Sequence, residues 1–133
     1  MTDPTANGVL VHVLKSKIHR ATITAGDVNY EGSMTIDQGL MELIGLHPYE
    51  RIMCSNLANG NRFETYAIPG ARNSGDVILN GAAAFQGQKG ERLTIMSFTW
   101  IDALEAGLWK PRVIVLGDDN RPVTKPQPVA CAR

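Results

Sequence analysis

The feature that most constrains the fold is Ala58-Asn59-Gly60-Asn61. Asn-Gly is the strongest short signal for a β-hairpin, because both residues tolerate the positive φ that tight turns use. β-type runs flank it, Arg51 to Leu57 and Arg62 to Ile68, and they are predicted to pair antiparallel. Other runs are of the same kind: Val9 to Val13, Lys15 to Thr24, Val77 to Asn80, Arg92 to Ile101 and Pro111 to Leu116. Pro69-Gly70 reads as a stop, and Ala25-Gly26-Asp27 and Gly117 to Asn120 as turns. Many short strands with little helix predict a closed β-barrel or a sandwich.

One helix is predicted with Thr35 as its cap and Gln38 three residues on, the capping-box spacing. Ile36, Leu40, Leu43 and Ile44 then share an apolar face, and Gly45 ends the helix. Asp102 to Trp109 reads as a second short helix or an irregular edge. Residues 1–8 are polar and turn-forming and read as a loose tail. Pro122 to Arg133 holds three of the seven prolines and reads as an extended one.

A length of 133 residues favours one domain, 1–133. Lys plus Arg and Asp plus Glu both number 13. Zero net charge argues against a nucleic-acid binder that relies on a broad basic surface. The two cysteines, Cys54 and Cys131, form neither a disulfide framework nor a Cys-x-x-Cys, so a reduced, cytoplasmic setting is expected. The apolar run Gly8 to Leu14 contains His12 and is too short to span a membrane.

Asn29-Tyr30-Glu31-Gly32-Ser33 admits two readings. The ordinary one is a tight turn with Gly32 at positive φ. The sharper one is self-cleavage. Glycine has no Cβ, so a nucleophile reaches its carbonyl closely and strain there costs little steric energy. Attack by the Ser33 hydroxyl on the Gly32 carbonyl converts the amide to an ester. β-Elimination of that ester leaves a dehydroalanine, which hydrolyses to a pyruvoyl terminus.

Five motifs decide between them: Lys15-Ser-Lys-Ile-His-Arg-Ala-Thr22; Tyr30-Glu-Gly-Ser33 with Ile36-Asp37; Asn59-Gly60 followed by Arg62-Phe63 and Thr65-Tyr-Ala-Ile68; Asn80-Gly-Ala-Ala-Ala84; and Ser97-Phe98. In this order and spacing, from about Leu14 to Val115, the chain resembles the pyruvoyl-dependent L-aspartate α-decarboxylases. The resemblance implies a mainly β fold, a small double-psi β-barrel with one or two short helices. It implies a zymogen cleaved between Gly32 and Ser33 into a β chain, 1–32, and an α chain, 33–133. Ser33 becomes the covalent pyruvoyl cofactor, which takes up the amine of an amino acid substrate and serves as an electron sink. It also implies a homotetramer with active sites between neighbouring subunits, and conversion of L-aspartate to β-alanine and CO2. Maturation is either spontaneous or assisted by an accessory protein.

The same resemblance assigns roles. Arg62, a bidentate fork, and Lys17, a point charge, hold the substrate carboxylates, and which takes which stays open. Lys17 and His19 share a strand face because side chains repeat every two residues. Tyr66, protonated at neutral pH with a reference pKa of ~10, returns a proton to the substrate carbon. Thr65 aids cleavage by polarising the Gly32 carbonyl, and also borders the substrate. Asn80 with Gly81, Ala82 and Ala83 walls the pocket. The chain departs from the family pattern at Asn29, Ser55 and Phe85. Those departures keep open the same chemistry on another small amino acid. An uncleaved barrel that binds a small anion or a partner is the non-enzymatic alternative.

Overall fold

The computed structural model of the chain describes residues 8–123 and 127–128. The predicted tail 1–8 lies outside them apart from Gly8, as do Cys131 and most of the predicted extended tail. The strands are β1 (Leu10–Thr22), β2 (Ala25–Asp27), β3 (Ser33–Asp37), β4 (Arg51–Asn56), β5 (Arg62–Gly70), β6 (Val77–Asn80), β7 (Arg92–Asp102), β8 (Arg112–Val115) and β9 (Gln127–Pro128). They are ordered β2-β6-β3-β5-β4-β7-β1-β8-β9. β1 and β2 stand far apart in that order, yet only Ile23 and Thr24 separate them along the chain. Ile23 N–H still bonds Glu91 O beside β7, while Thr24 N–H already bonds Val77 O on β6. One continuous stretch therefore joins both sides of the sheet and closes it into a small barrel.

A register shift between Ile18 and Ala21 bends β1, and Arg20 there takes a φ of 67°. Such a bulge adds the twist that closure needs. Ile18, Met34, Ile36, Leu79, Leu93, Ile95 and Ile114 fill the interior at 1% exposure or less. Cys54 lies among them, and burial pushes its thiol up to about 12. Among the described residues, no helix is long and apolar enough to cross a membrane.

The predicted hairpin forms, with Arg51↔Tyr66 and Ser55↔Arg62 in register. Its loop is held by more than the glycine. Gly60 takes a φ of 75°, while Asn56 and Asn59 accept from the N–H groups of Ala58 and Asn61 at 2.8 and 2.9 Å.

Several boundaries differ from the sequence reading. The runs Val9 to Val13 and Lys15 to Thr24 form one strand, β1, with a register shift between Leu14 and Ser16. Ala25-Gly26-Asp27 is not a turn but β2, paired parallel with β6. The turn falls just after it, where Asp27 Oδ1 accepts from Asn29 N–H at 3.0 Å. The helix does not begin at Thr35. Thr35 and Ile36 belong to β3, which pairs with β5 on one side and β6 on the other. Two ladders of backbone hydrogen bonds outweigh one capping-box pattern. The cap is Asp37, whose carboxylate accepts from Gly39 N–H at 2.7 Å, and α1 runs Gln38–Leu43. Its end matches expectation. Gly45 takes a φ of 67°, Gly45 N–H bonds Glu42 O, and Leu46 N–H bonds Met41 O, which is the Schellman pair. β5 does stop at Pro69-Gly70, but two residues later than predicted, because both pair as part of the strand, opposite Ile36 and Asp37. Among the described residues, three short 3-10 helices, Gly81–Gln86, Ala103–Leu108 and Asp118–Asn120, make up the remaining helix.

Candidate active site

The site begins where β2 leaves the barrel and β3 returns to it. Residues 28–32 cross over the end of β6, where Asp27 and Ser33 both stand in register with Asn80, and the chain re-enters the sheet at Ser33. Gly32 is not at positive φ, contrary to the turn reading. That conformation falls on Ser33, at 113°. A non-glycine residue held there costs roughly 1–3 kcal/mol, and the strain sits directly on the Gly32–Ser33 bond.

The strain is held in place from two directions. Ser33 is paired with Asn80 across β3·β6. Both are buried, and Asn80 Nδ2 donates to Ser33 Oγ at 3.1 Å. The same nitrogen donates to Thr35 Oγ1 at 2.9 Å. On the other side stands Gly81, with a φ of 63°. A Cβ there would lie 2.9 Å from Gly32 N, Gly32 Cα and Tyr30 O. Any side chain at 81 would therefore collide with the backbone of the crossing segment. The Tyr30 ring itself is exposed.

Gly32, Ser33, Thr65, Asn80, Ala82 and Ala83 line one cavity of about 300 Å³, together with Phe63, Glu64 and Gln86. Six of the candidate residues thus come together in one chain, with Gly81 beside them. Four others do not join them. Along β5, Phe63 and Ala67 pack on the core and Thr65 shares their side, so Arg62, Glu64 and Tyr66 point the opposite way. On β1, Ile18 is core, so Lys17 and His19 face outward. Lys17 stands in register with Met96, Met96 with Met53, and Met53 with Glu64. The outward candidates therefore occupy one strip across β1, β7, β4 and β5.

Polar groups on this strip differ in how they are held. Lys15 is tied down, with Nζ 2.7 Å from Glu50 and 2.9 Å from Gly45 O. Arg51 pairs with Glu64. Among the described residues, Lys17 and Arg62 have no ion-pair partner. His19 Nδ1 lies 3.2 Å from Thr94 Oγ1. Partial burial, followed by the nearby Lys17 charge, lowers its pKa below the ordinary imidazole value. Tyr66 is 38% exposed and lies 6.2 Å, ring to ring, from Tyr49. A second concavity of about 410 Å³ opens on this outer face, floored by Met53 and Phe98 and edged by His12 stacked on Trp100. Glu64 borders both concavities.

Sequence reasoning missed Thr35, Phe63, Glu64 and Gln86. Thr35 carried a usable signal, because it lies two residues from Ser33 and shares its strand face. Gln86 carried none, since it reaches the cavity only through the 3-10 helix.

The aspartate decarboxylase family model matches residues 9–123. An aspartate 1-decarboxylase of Thermoanaerobacter pseudethanolicus is 48% identical over 111 residues, covering 84% of this chain and 95% of the relative. One from Leptospira biflexa is 43% identical over 115 residues, covering 86% and 98%. One from Desulfotalea psychrophila is 48% identical over 112 residues, covering 84% and 94%. The match contains the barrel, the buried Ser33–Asn80 pair and the outward strip alike, and the chain belongs to the aspartate decarboxylase family.

Proposed function

We propose that this chain cleaves its own Gly32–Ser33 bond and, once cleaved, decarboxylates L-aspartate to β-alanine and CO2. The carrying observation is Ser33 itself: buried, at a φ of 113°, with its hydroxyl held by Asn80 beside a glycine carbonyl. A serine placed only to pair in a strand needs none of these. The residues present also suit a pyruvoyl group at position 33, because Gly81 leaves room for the crossing backbone and Asn80 keeps an amide donor beside residue 33. Such a group supplies an electron sink for the bond that loses CO2.

The chain's own residues do the rest. Thr65, on the cavity side of β5, polarises the Gly32 carbonyl during cleavage and later borders the substrate. Asn80, Gly81, Ala82 and Ala83 form the wall against which the substrate lies. Arg62 and Lys17 hold its two carboxylates, Arg62 through a planar fork and Lys17 through a point charge. His19, with its proton affinity lowered, adds a neutral imidazole beside Lys17. Tyr66 returns a proton to the carbon that has lost CO2.

Arg62, Lys17, His19 and Tyr66 face away from the Ser33 cavity of their own chain. We infer that each site is completed by a neighbouring copy in a homotetramer, whose outward strip closes over this cavity. A cytoplasmic location accords with a small amino acid as substrate. Maturation that is spontaneous accords with the strain already present at Ser33, and an accessory protein would act by speeding the same step.

The test is turnover with and without the serine hydroxyl. Wild-type protein should form β-alanine and CO2 from L-aspartate, and a hydrazine reagent should label the larger fragment and stop turnover. Ser33→Ala should do neither. Turnover by Ser33→Ala, or wild-type turnover indifferent to the hydrazine, would contradict the proposal.

A further inference from the structure

We propose that Thr35 is a positioning residue for self-cleavage, aiming the Asn80 amide at the Ser33 oxygen. The inference rests on the Gly32–Ser33 reading above and extends it to a residue outside the pocket. A primary amide nitrogen carries two hydrogens about 120° apart. Here one meets Ser33 Oγ at 3.1 Å and the other Thr35 Oγ1 at 2.9 Å. Thr35 thus takes the second hydrogen and fixes the plane in which the first is presented.

Thr35 is itself held. Its methyl lies where Gly70 lacks a Cβ, since a Cβ built there would come within 2.9 Å of Thr35 Cγ2. A β-branched side chain has few χ1 choices. With the methyl seated against Gly70, the hydroxyl is left directed at Asn80. The chain of positioning runs from Gly70 through Thr35 and Asn80 to Ser33.

The donor on Ser33 Oγ matters at two steps. In the first, the Oγ–C bond to Gly32 forms and the C–N bond breaks, and the Ser33 hydroxyl proton ends on the freed nitrogen. Because Asn80 donates, the serine oxygen is an acceptor and its own proton is free to leave. In the second, the Ser33 α-proton is removed and Cβ–Oγ breaks. Oγ departs with the electron pair as part of the new Gly32 carboxylate. An N–H aimed at Oγ supports the charge gathering there both times.

The experiment follows cleavage by intact mass after cell-free synthesis of the full chain as wild type, Thr35→Ser and Thr35→Val. Thr35→Ser keeps the hydroxyl and should cleave within about threefold of wild type. Thr35→Val keeps the shape and the seat against Gly70 but loses the acceptor. It should cleave roughly five- to tenfold slower, the size of one neutral hydrogen bond. A packing role alone gives the opposite order, with valine near wild type and serine slow, and that order would overturn the proposal, as would equal rates for all three. Thermal unfolding of the three chains, each carrying Ser33→Ala to block cleavage, gives a second reading. A valine variant as stable as wild type but slow to cleave supports positioning, whereas one slowed only in proportion to lost stability contradicts it. If wild type itself stays intact, the cleavage reading has failed first.

Discussion

Two regions of this barrel are built on opposite terms. Around the β3–β6 junction, every group is committed. Ser33 is buried at a strained φ, Asn80 has both amide hydrogens in use, and Gly81 sits against bare backbone. On the strip across β1, β7, β4 and β5, the candidate cations Lys17 and Arg62 are not ion-paired among the described residues. Arg62 is exposed and Tyr66 partly so. Bond breaking within a chain needs preorganisation, and one chain supplies it entirely. Holding a diffusing substrate needs cations not already neutralised, and here those cations face away from the cavity. Under the proposed function, the region that would make the reactive group and the region that would use it are therefore separable by mutation.

The sharpest separation has the largest effects. Ser33→Ala should abolish cleavage and turnover altogether while leaving the barrel folded, read by mass, β-alanine formation and thermal unfolding. Arg62→Ala should do the reverse. It should cleave at the wild-type rate yet lose about a hundredfold in kcat/KM for aspartate, because a charge-assisted bidentate contact is lost. Co-expressing the two inactive variants should restore turnover toward about a quarter of wild type, the fraction of random neighbours that pair an intact Ser33 with an intact Arg62. No recovery in a confirmed mixed oligomer would place both residues in one chain's site and erase the distinction drawn here.

Smaller effects sharpen it further. Gly81→Ala introduces a Cβ 2.9 Å from three backbone atoms at a φ of 63°. It should slow cleavage by about tenfold or more and cost roughly 1–3 kcal/mol of stability. A rate and a melting temperature equal to wild type would mean that the crossing segment is not pinned. His19 gives the smallest effect. Its pKa is lowered in the folded state, so the unfolded chain binds the proton more readily. Stability should be full above the ordinary imidazole pKa of ~6.5 and decline as pH falls from there toward the lowered folded value. His19→Gln should flatten that slope, as measured by denaturant unfolding from pH 7 to pH 5, without altering cleavage.

Much of this division was legible in the sequence. The hairpin at Asn59-Gly60, the Val77–Asn80 strand and the shared face of Lys17 and His19 follow from turn chemistry and the period of two. The same period places Thr65 and Tyr66 on opposite faces, so adjacency in the motif is not adjacency in the site. What was not legible came from long-range pairing. Thr35 matches a helix cap locally, but β5 and β6, thirty to forty-five residues away, claim it for a strand. Gly26 looks like a turn residue, yet β6, some fifty residues on, claims it for a strand by pairing it with Leu79. The strain on Ser33 rather than Gly32 was invisible for the same reason, since it is held by Asn80 at the end of β6 and by Gly81, which opens the 3-10 helix that follows.

The most direct measurement is a time course of intact mass on freshly synthesised wild-type chain. The account predicts that the 133-residue species gives way to fragments 1–32 and 33–133, the larger blocked to amine-specific sequencing. A full-length species that persists unchanged through prolonged warm incubation would contradict it.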